Sequence, residues 1–113
     1  MWSKEKIQDW YDDHKWLVGC NYLPSSAINQ LEMFQEDSFD AETNKREIGW
    51  ARDVGFNSLR IYLHDLLWQD KESFKKRLNE ILSLCSDHNI KPILVLFDDC
   101  HRPFPKLGKQ PLP

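Results

Sequence analysis

Gly55-Phe56-Asn57-Ser58-Leu59-Arg60-Ile61-Tyr62-Leu63-His64-Asp65 is the stretch on which the fold turns. Leu59, Ile61 and Leu63 alternate with Ser58, Arg60, Tyr62 and His64, the period of two that sends strand side chains to opposite faces. The apolar set can pack beneath helices. The polar set needs water, a partner or a ligand, because an unpaired buried guanidinium is very costly. A strand with helices on one side and Arg, Tyr and His on the other suits the inner wall of a (β/α) barrel. In such a barrel the interior at the C-terminal strand ends is where chemistry is done. The alternative is that Arg60 pairs with a carboxylate such as Asp98 and only holds the fold.

Upstream, Trp16–Tyr22 reads as a first strand. Gly19 within it points to close approach of another backbone or to a bend, and Pro24 ends its ladder. The connection from Pro24 to Phe39 is long; such a loop is functional or carries a short helix, and in a barrel it belongs to the catalytic rim. Asp40 is a good N-cap for the next helix, with Glu42 in its first turn. Ile48, Ala51 and Val54 form that helix's apolar stripe, and Gly55 followed by Phe56 fits a glycine-closed C-terminus. The second strand is Asn57–Leu63. Asp70 then caps a helix in which Phe74, Leu78, Ile81, Leu82 and Cys85 recur at helical spacing, and Asn89 can take the left-handed conformation at its end.

Ile90-Lys91-Pro92 opens a third strand. Ile93–Phe97 is apolar without alternation, as in a parallel strand buried on both faces. Residues 2–14 place Ile7, Trp10, Tyr11 and His14 on one side of a short amphipathic helix suited to capping a barrel bottom. The Pro-rich, polar residues 98–113 read as the loop after strand three. The order is therefore β-α-β-α-β, an α/β fold of parallel units. Strands start near residues 16, 57 and 90, at spacings of 41 and 33; an eight-fold barrel averages about 31 residues per unit.

The 113 residues, 41% hydrophobic and 29% charged, are ordinary for one small globular domain with a core. A net charge of -3 and no basic patch argue against nucleic acid as a partner, Lys75-Lys76-Arg77 reading as the solvated face of a helix. No apolar run approaches the about 20 residues that span a bilayer, so no membrane partner is expected. Met1–Lys6 lacks a signal peptide's apolar stretch, which leaves localisation open. Cys20, Cys85 and Cys100 are odd in number and lack CxxC spacing, which argues against a disulfide framework and a structural zinc; all three are expected reduced and at least partly buried. No Gly-rich phosphate loop follows a strand and no Ser nucleophile elbow appears, which weakens a nucleotide-binding fold and a serine hydrolase.

The Gly55–Ile61 pattern resembles the "GxNxxR" second strand of cellulase-like glycoside hydrolases of family five, in which the arginine lies beneath the catalytic carboxylates. Trp16–Met33 and Phe97–Gly108 resemble a bacterial branch usually described as cellulase-family hydrolases or β-1,4-glycanases. The resemblance spans the chain from Trp16 onward. It implies that residues 1–113 are the N-terminal fragment of a single TIM (β/α)8-barrel domain, holding its first three strands. It implies retaining hydrolysis of a β-glycan by two glutamates about 5–5.5 Å apart, found in that family at the ends of strands four, within an Asn-Glu pair, and seven. None of the seven glutamates here follows an apolar strand run, and Asn79-Glu80 falls mid-helix. Both catalytic glutamates are thus expected beyond Pro113, and the chain alone is expected to be inactive. Only Arg60 carries over by position. Family members often have a His near the end of strand three; here Asp98-Asp99 stands there, with His101 beyond. Residues expected to bind substrate or support the site are Arg60, Asn21, His64, Asp98, Asp99 and Trp68. The partner implied is an oligo- or polysaccharide, with no cofactor and no metal, and family members are often exported.

Two rival readings stay open. His64-Asp65, Asp98-Asp99 and His101 could ligate a divalent ion in a metal-dependent TIM-barrel hydrolase, although no HxH or HExxH spacing backs it. A non-catalytic α/β module that binds carbohydrate or protein is the other. Tyr22, Phe34, Trp68 and Phe104 could stack on sugar rings or simply pack helices. An open barrel interior and an exposed strand-three edge would favour self-association.

Overall fold

The alternation in the second strand is realised side chain by side chain. Leu59, Ile61 and Leu63 are at most 3% exposed, whereas Arg60 between them is exposed and Tyr62 half-buried. The computed structural model describes residues 1–98 and 103–112. In chain order it contains α1 (Lys4–Asp13), β1 (Gly19–Asn21), α2 (Gln30–Phe34), α3 (Ala41–Asp53), β2 (Ser58–Tyr62), a 3-10 helix (Asp65–Asp70), α4 (Lys71–Asp87) and β3 (Lys91–Val95). The strands form one parallel sheet in the order β1-β2-β3. The chain is a mixed α/β structure with α3 and α4 as the two crossovers. Both supply the core that covers the Leu59 face: Ile48 from α3, and Phe74, Ile81 and Cys85 from α4.

Local chemistry sets the element ends. Asp40 accepts from the Thr43 N–H at 3.0 Å and caps α3; the two bonds from Thr43 hold its carboxyl below the ordinary range. Both crossover helices end in the same way. The Gly55 N–H donates to Arg52 O and the Phe56 N–H to Ala51 O, each at 2.9 Å, while Asn89 and Ile90 repeat the pair on Ser86 and Cys85 at 3.1 and 2.8 Å. This double bond pattern needs a left-handed residue in the middle, and Gly55 (φ 99°) and Asn89 (φ 54°) provide it. Asp70 holds the N-cap position of α4 but makes no side-chain capping bond, since the helix grows directly out of the 3-10 turn.

Strand one is shorter than its apolar run, Gly19–Asn21 rather than Trp16–Tyr22. The reason is Asn57. Its side chain accepts from the Val18 N–H at 2.7 Å and donates to Trp16 O at 2.9 Å, so a side chain takes these two groups out of the ladder, while Val18 O still accepts from the Asn57 and Ser58 N–H groups. Gly19 then passes so close to β2 that a Cβ there would lie 1.8 Å from the Ser58 carbonyl oxygen. The long connection carries a short helix, α2, whose five residues are all buried.

Four expectations are corrected. Strand three ends at Val95, and Ile93, Leu96 and Phe97 are 47–68% exposed, because the helices cover only one face of the sheet. After it, Leu63 N–H donates to Val95 O and Leu63 O accepts from the Asp98 N–H. A regular parallel ladder would use residue 97; one extra residue is accommodated with Phe97 at φ 58°. Helix α1 has no buried residue, so Ile7, Trp10 and Tyr11 cap nothing; Trp10 stacks instead on His14, 4.1 Å away and one turn on. Val54, expected in the α3 stripe, is exposed beyond the helix's last turn. Cys20 is exposed because β1 is a three-residue edge, whereas Cys85 is fully buried and burial pushes its thiol up to about 11; Cys100 lies outside the described residues. The Cα radius of gyration, 15.3 Å, exceeds the about 13 Å of a compact domain this long, as one uncovered sheet face and a bare helix require.

Candidate functional site

The uncovered face carries the polar half of the β2 alternation. Arg60 and Asn21 are register partners across β1 and β2, so their side chains rise from the same face, and Arg60 Nε donates to Asn21 Oδ1 at 2.7 Å. The guanidinium also lies over the Tyr62 ring, 5.3 Å from its centroid, a favourable cation–π placement. The partner chosen is thus an amide on the neighbouring strand rather than Asp98. An amide leaves the guanidinium's charge unneutralised, which a structural ion pair would not do.

At the C-terminal ends of β1 and β2 a groove of about 780 Å³ opens, within the range of small-ligand sites. Asn21, Tyr62, Asn29 and Gln30 give it amides and a phenol; Leu23, Ile28, Met33, Pro111 and Leu112 give it apolar surface. Gln30 also donates from Nε2 to Asp98 O at 2.8 Å, which ties α2 to the end of strand three.

The remaining candidates divide. The Asp98 backbone bridges Leu63 O and Gln30 Nε2. His64 is 4% exposed and caps the 3-10 helix: its Nδ1 accepts from the Leu66 N–H at 3.2 Å and lies 3.0 Å from Asp65 Oδ1. The first contact needs a lone pair on Nδ1 and the second an N–H there, so the tautomer decides which of the two is made. Trp68, on that same 3-10 helix, meets Phe74 edge-on with Lys75 over its ring and does not line the groove. Of the aromatic candidates, Phe34 is fully buried core and Phe104 is exposed. Asp99 and His101 lie outside the described residues. Among the described residues no three His, Cys, Asp or Glu gather as a metal site would require.

Behind the groove is a polar cluster, buried at Tyr22 and Asn44 and open at Ser25, that sequence reasoning missed. Tyr22 OH donates to Asn44 Oδ1 at 2.8 Å and approaches Glu47, which also accepts from the N–H and hydroxyl of Ser25. Burial, then the Glu47 carboxylate, push the phenol well above its ordinary range, so it stays a donor. Asn44 Nδ2 is the one buried side-chain polar atom without a partner among the described residues. Tyr62 was legible, being two residues from Arg60 on the same face. Gln30, Asn29 and the 106–112 segment carried no such signal, because their contacts span 68–81 residues. The chain matches no family model, no curated protein and no solved structure.

Proposed function

We propose that residues 1–113 are the opening part of a cellulase-like, retaining glycoside hydrolase with a TIM barrel. One observation carries the reading. Arg60, at the position of the arginine in the GxNxxR strand, stands on the uncovered face of a parallel sheet, tied to Asn21 beside a groove at the strand ends. In a barrel that face is the interior, and that end is the catalytic one. A fixed guanidinium there stabilises the ionised form of a carboxylate set above it. Every glutamate present sits in α1, α2, α3 or α4 or in the turn after α2. In this reading the acid/base and the nucleophile therefore belong to later strands, about 5–5.5 Å apart. The mixture of amides and apolar side chains in the groove suits the hydroxyls and C–H faces of a neutral sugar. The open face and the β3 edge are what further strands would cover. In the isolated chain they drive self-association, and a monomer by light scattering would count against the reading.

The test is the reading frame downstream of the Pro113 codon. Continuation into a strand ending in Asn-Glu, with retaining hydrolysis of an aryl β-glycoside by that longer product, supports the proposal. Hydrolysis by the 113-residue chain alone, or an Arg60→Ala rate equal to wild type in the longer product, sinks it. Without such a strand, the non-catalytic binding module becomes the better account, since the groove is built within these residues.

A further inference from the structure

Residues 106–112 contain neither helix nor strand, yet Gln110 within them is 4% exposed. Its hydrogen bonds explain the burial. The Gln110 N–H donates to Glu32 Oε1 at 2.9 Å, its Nε2 donates to the carbonyls of Lys106 and Gly108 at 2.9 Å each, and its Oε1 accepts from Asn29 Nδ2 at 3.0 Å. Gln35 grips the same segment from outside. Its Oε1 accepts from the Gly108 N–H at 2.6 Å and its Nε2 donates to Gly108 O at 3.1 Å. Side chains on and beside α2 thus supply to this irregular segment the main-chain pairing that a neighbouring strand would supply. Pro111 and Leu112, which follow at once, line the groove with Asn21 and Tyr62.

We propose that Gln110 is a positioning residue for the groove: seated between Asn29 and Glu32, it fixes residues 106–112 as one wall, and ligand affinity depends on it although it does not itself line the groove. The ligand named in the test rests on the glycan reading above; the wall does not. Withdrawing Gln110 is costly, because it would leave buried donors and Glu32 Oε1 without their partners, although Glu32 Oε2 would keep the Ile28 N–H. Glutamate fits the shape but loses both amide donors and sets a second carboxylate beside Glu32.

The experiment uses the whole 113-residue chain, with tryptic cleavage after Lys109 as the readout of the wall and calorimetric titration with cellotetraose as the readout of the groove. Gln110→Ala is expected to be cut after Lys109 at least tenfold faster and to bind cellotetraose at least tenfold more weakly, with cleavage within α4 unchanged. Gln110→Glu should behave in the same way. Gln35→Ala keeps the seat and loses only the outer grip, so it should shift both readouts less in the same direction; it carries the test if Gln110→Ala fails to fold. Unchanged cleavage after Lys109 in the Gln110 variants, or faster cleavage at unchanged affinity, overturns the proposal. If the wild-type chain does not bind cellotetraose, the groove of this chain alone is not a glycan site, the longer barrel's reading keeps its own test, and the cleavage rates alone then decide the wall.

Discussion

The two faces of the sheet are made from one alternating strand, and they differ in what holds them. On the covered face Leu59, Ile61 and Leu63 are sealed by Ile48, Ile81 and Cys85. On the other, Arg60, Asn21 and Ile93 are exposed, and Arg60 is held by its hydrogen bond to Asn21 and its contact with the Tyr62 ring. Burial therefore supplies stability on one side, while the other keeps charge and amides accessible. The comparison teaches that this chain's fold and its candidate chemistry can be altered almost independently.

The largest expected effect is on the covered face. Ile61→Ala should cost about 2–5 kcal/mol, read as a lower urea midpoint; a loss below about 1 kcal/mol would mean that Ile61 is not core. Gly19→Ala strikes the junction of the faces. Its methyl group would have to displace Ser58 or β1, at about 1–3 kcal/mol, with faster amide exchange at Tyr22, which bonds to Arg60 O. An unchanged Tyr22 amide would show that β1 is not pinned there.

The cysteines sharpen the contrast. At pH 8, iodoacetamide should label Cys20 at least about ten times faster than Cys85, scored by peptide mass spectrometry. Because burial raises the Cys85 thiol from 9.0 to about 11, the folded state holds that proton more tightly than the unfolded one. Its stabilising contribution is full below about pH 9 and is lost as pH rises through about 11. A Cys85→Ala variant with the same alkaline stability profile would remove this assignment. The smallest effect is on the open face: Arg60→Ala should change stability by no more than about 0.5 kcal/mol, read as an almost unchanged thermal midpoint. A large drop in thermal midpoint would make Arg60 a structural residue after all.

Much of the covered face was legible in the sequence. Period-two spacing gave β2, helical spacing gave α4, and Asp40, Gly55 and Asn89 announced helix ends through local rules that act over four or five residues. The parallel order followed because each pair of strands is separated by a helix. The failures share one cause. Helical spacing in residues 4–13 says which side chains share a face, not whether any surface exists to receive it. The apolar run Ile93–Phe97 likewise says nothing of how many layers cover it. His64 has the residue type of a site ligand, and its type alone does not announce the cap it gives the Leu66 N–H. On the open face, the side Arg60 takes was legible because its neighbours alternate, whereas Asn21 was named only through the family resemblance and its register opposite Arg60 was not legible. The seat of Gln110 was not legible either, since nothing near Glu32 in sequence points to a partner 78 residues away.

That separation has a consequence for how the molecule is made. The strands pair over 33–39 residues, whereas the bonds from Asn29, Glu32 and Gln35 to the 106–112 segment close loops of 73–81. Since a chain is synthesised from its N-terminus and local units fold first, α2 and all three strands exist before their last partner does. The groove is thus the final part of this chain to be assembled during translation, and until residue 112 has emerged the polar edge of α2 faces water in its place.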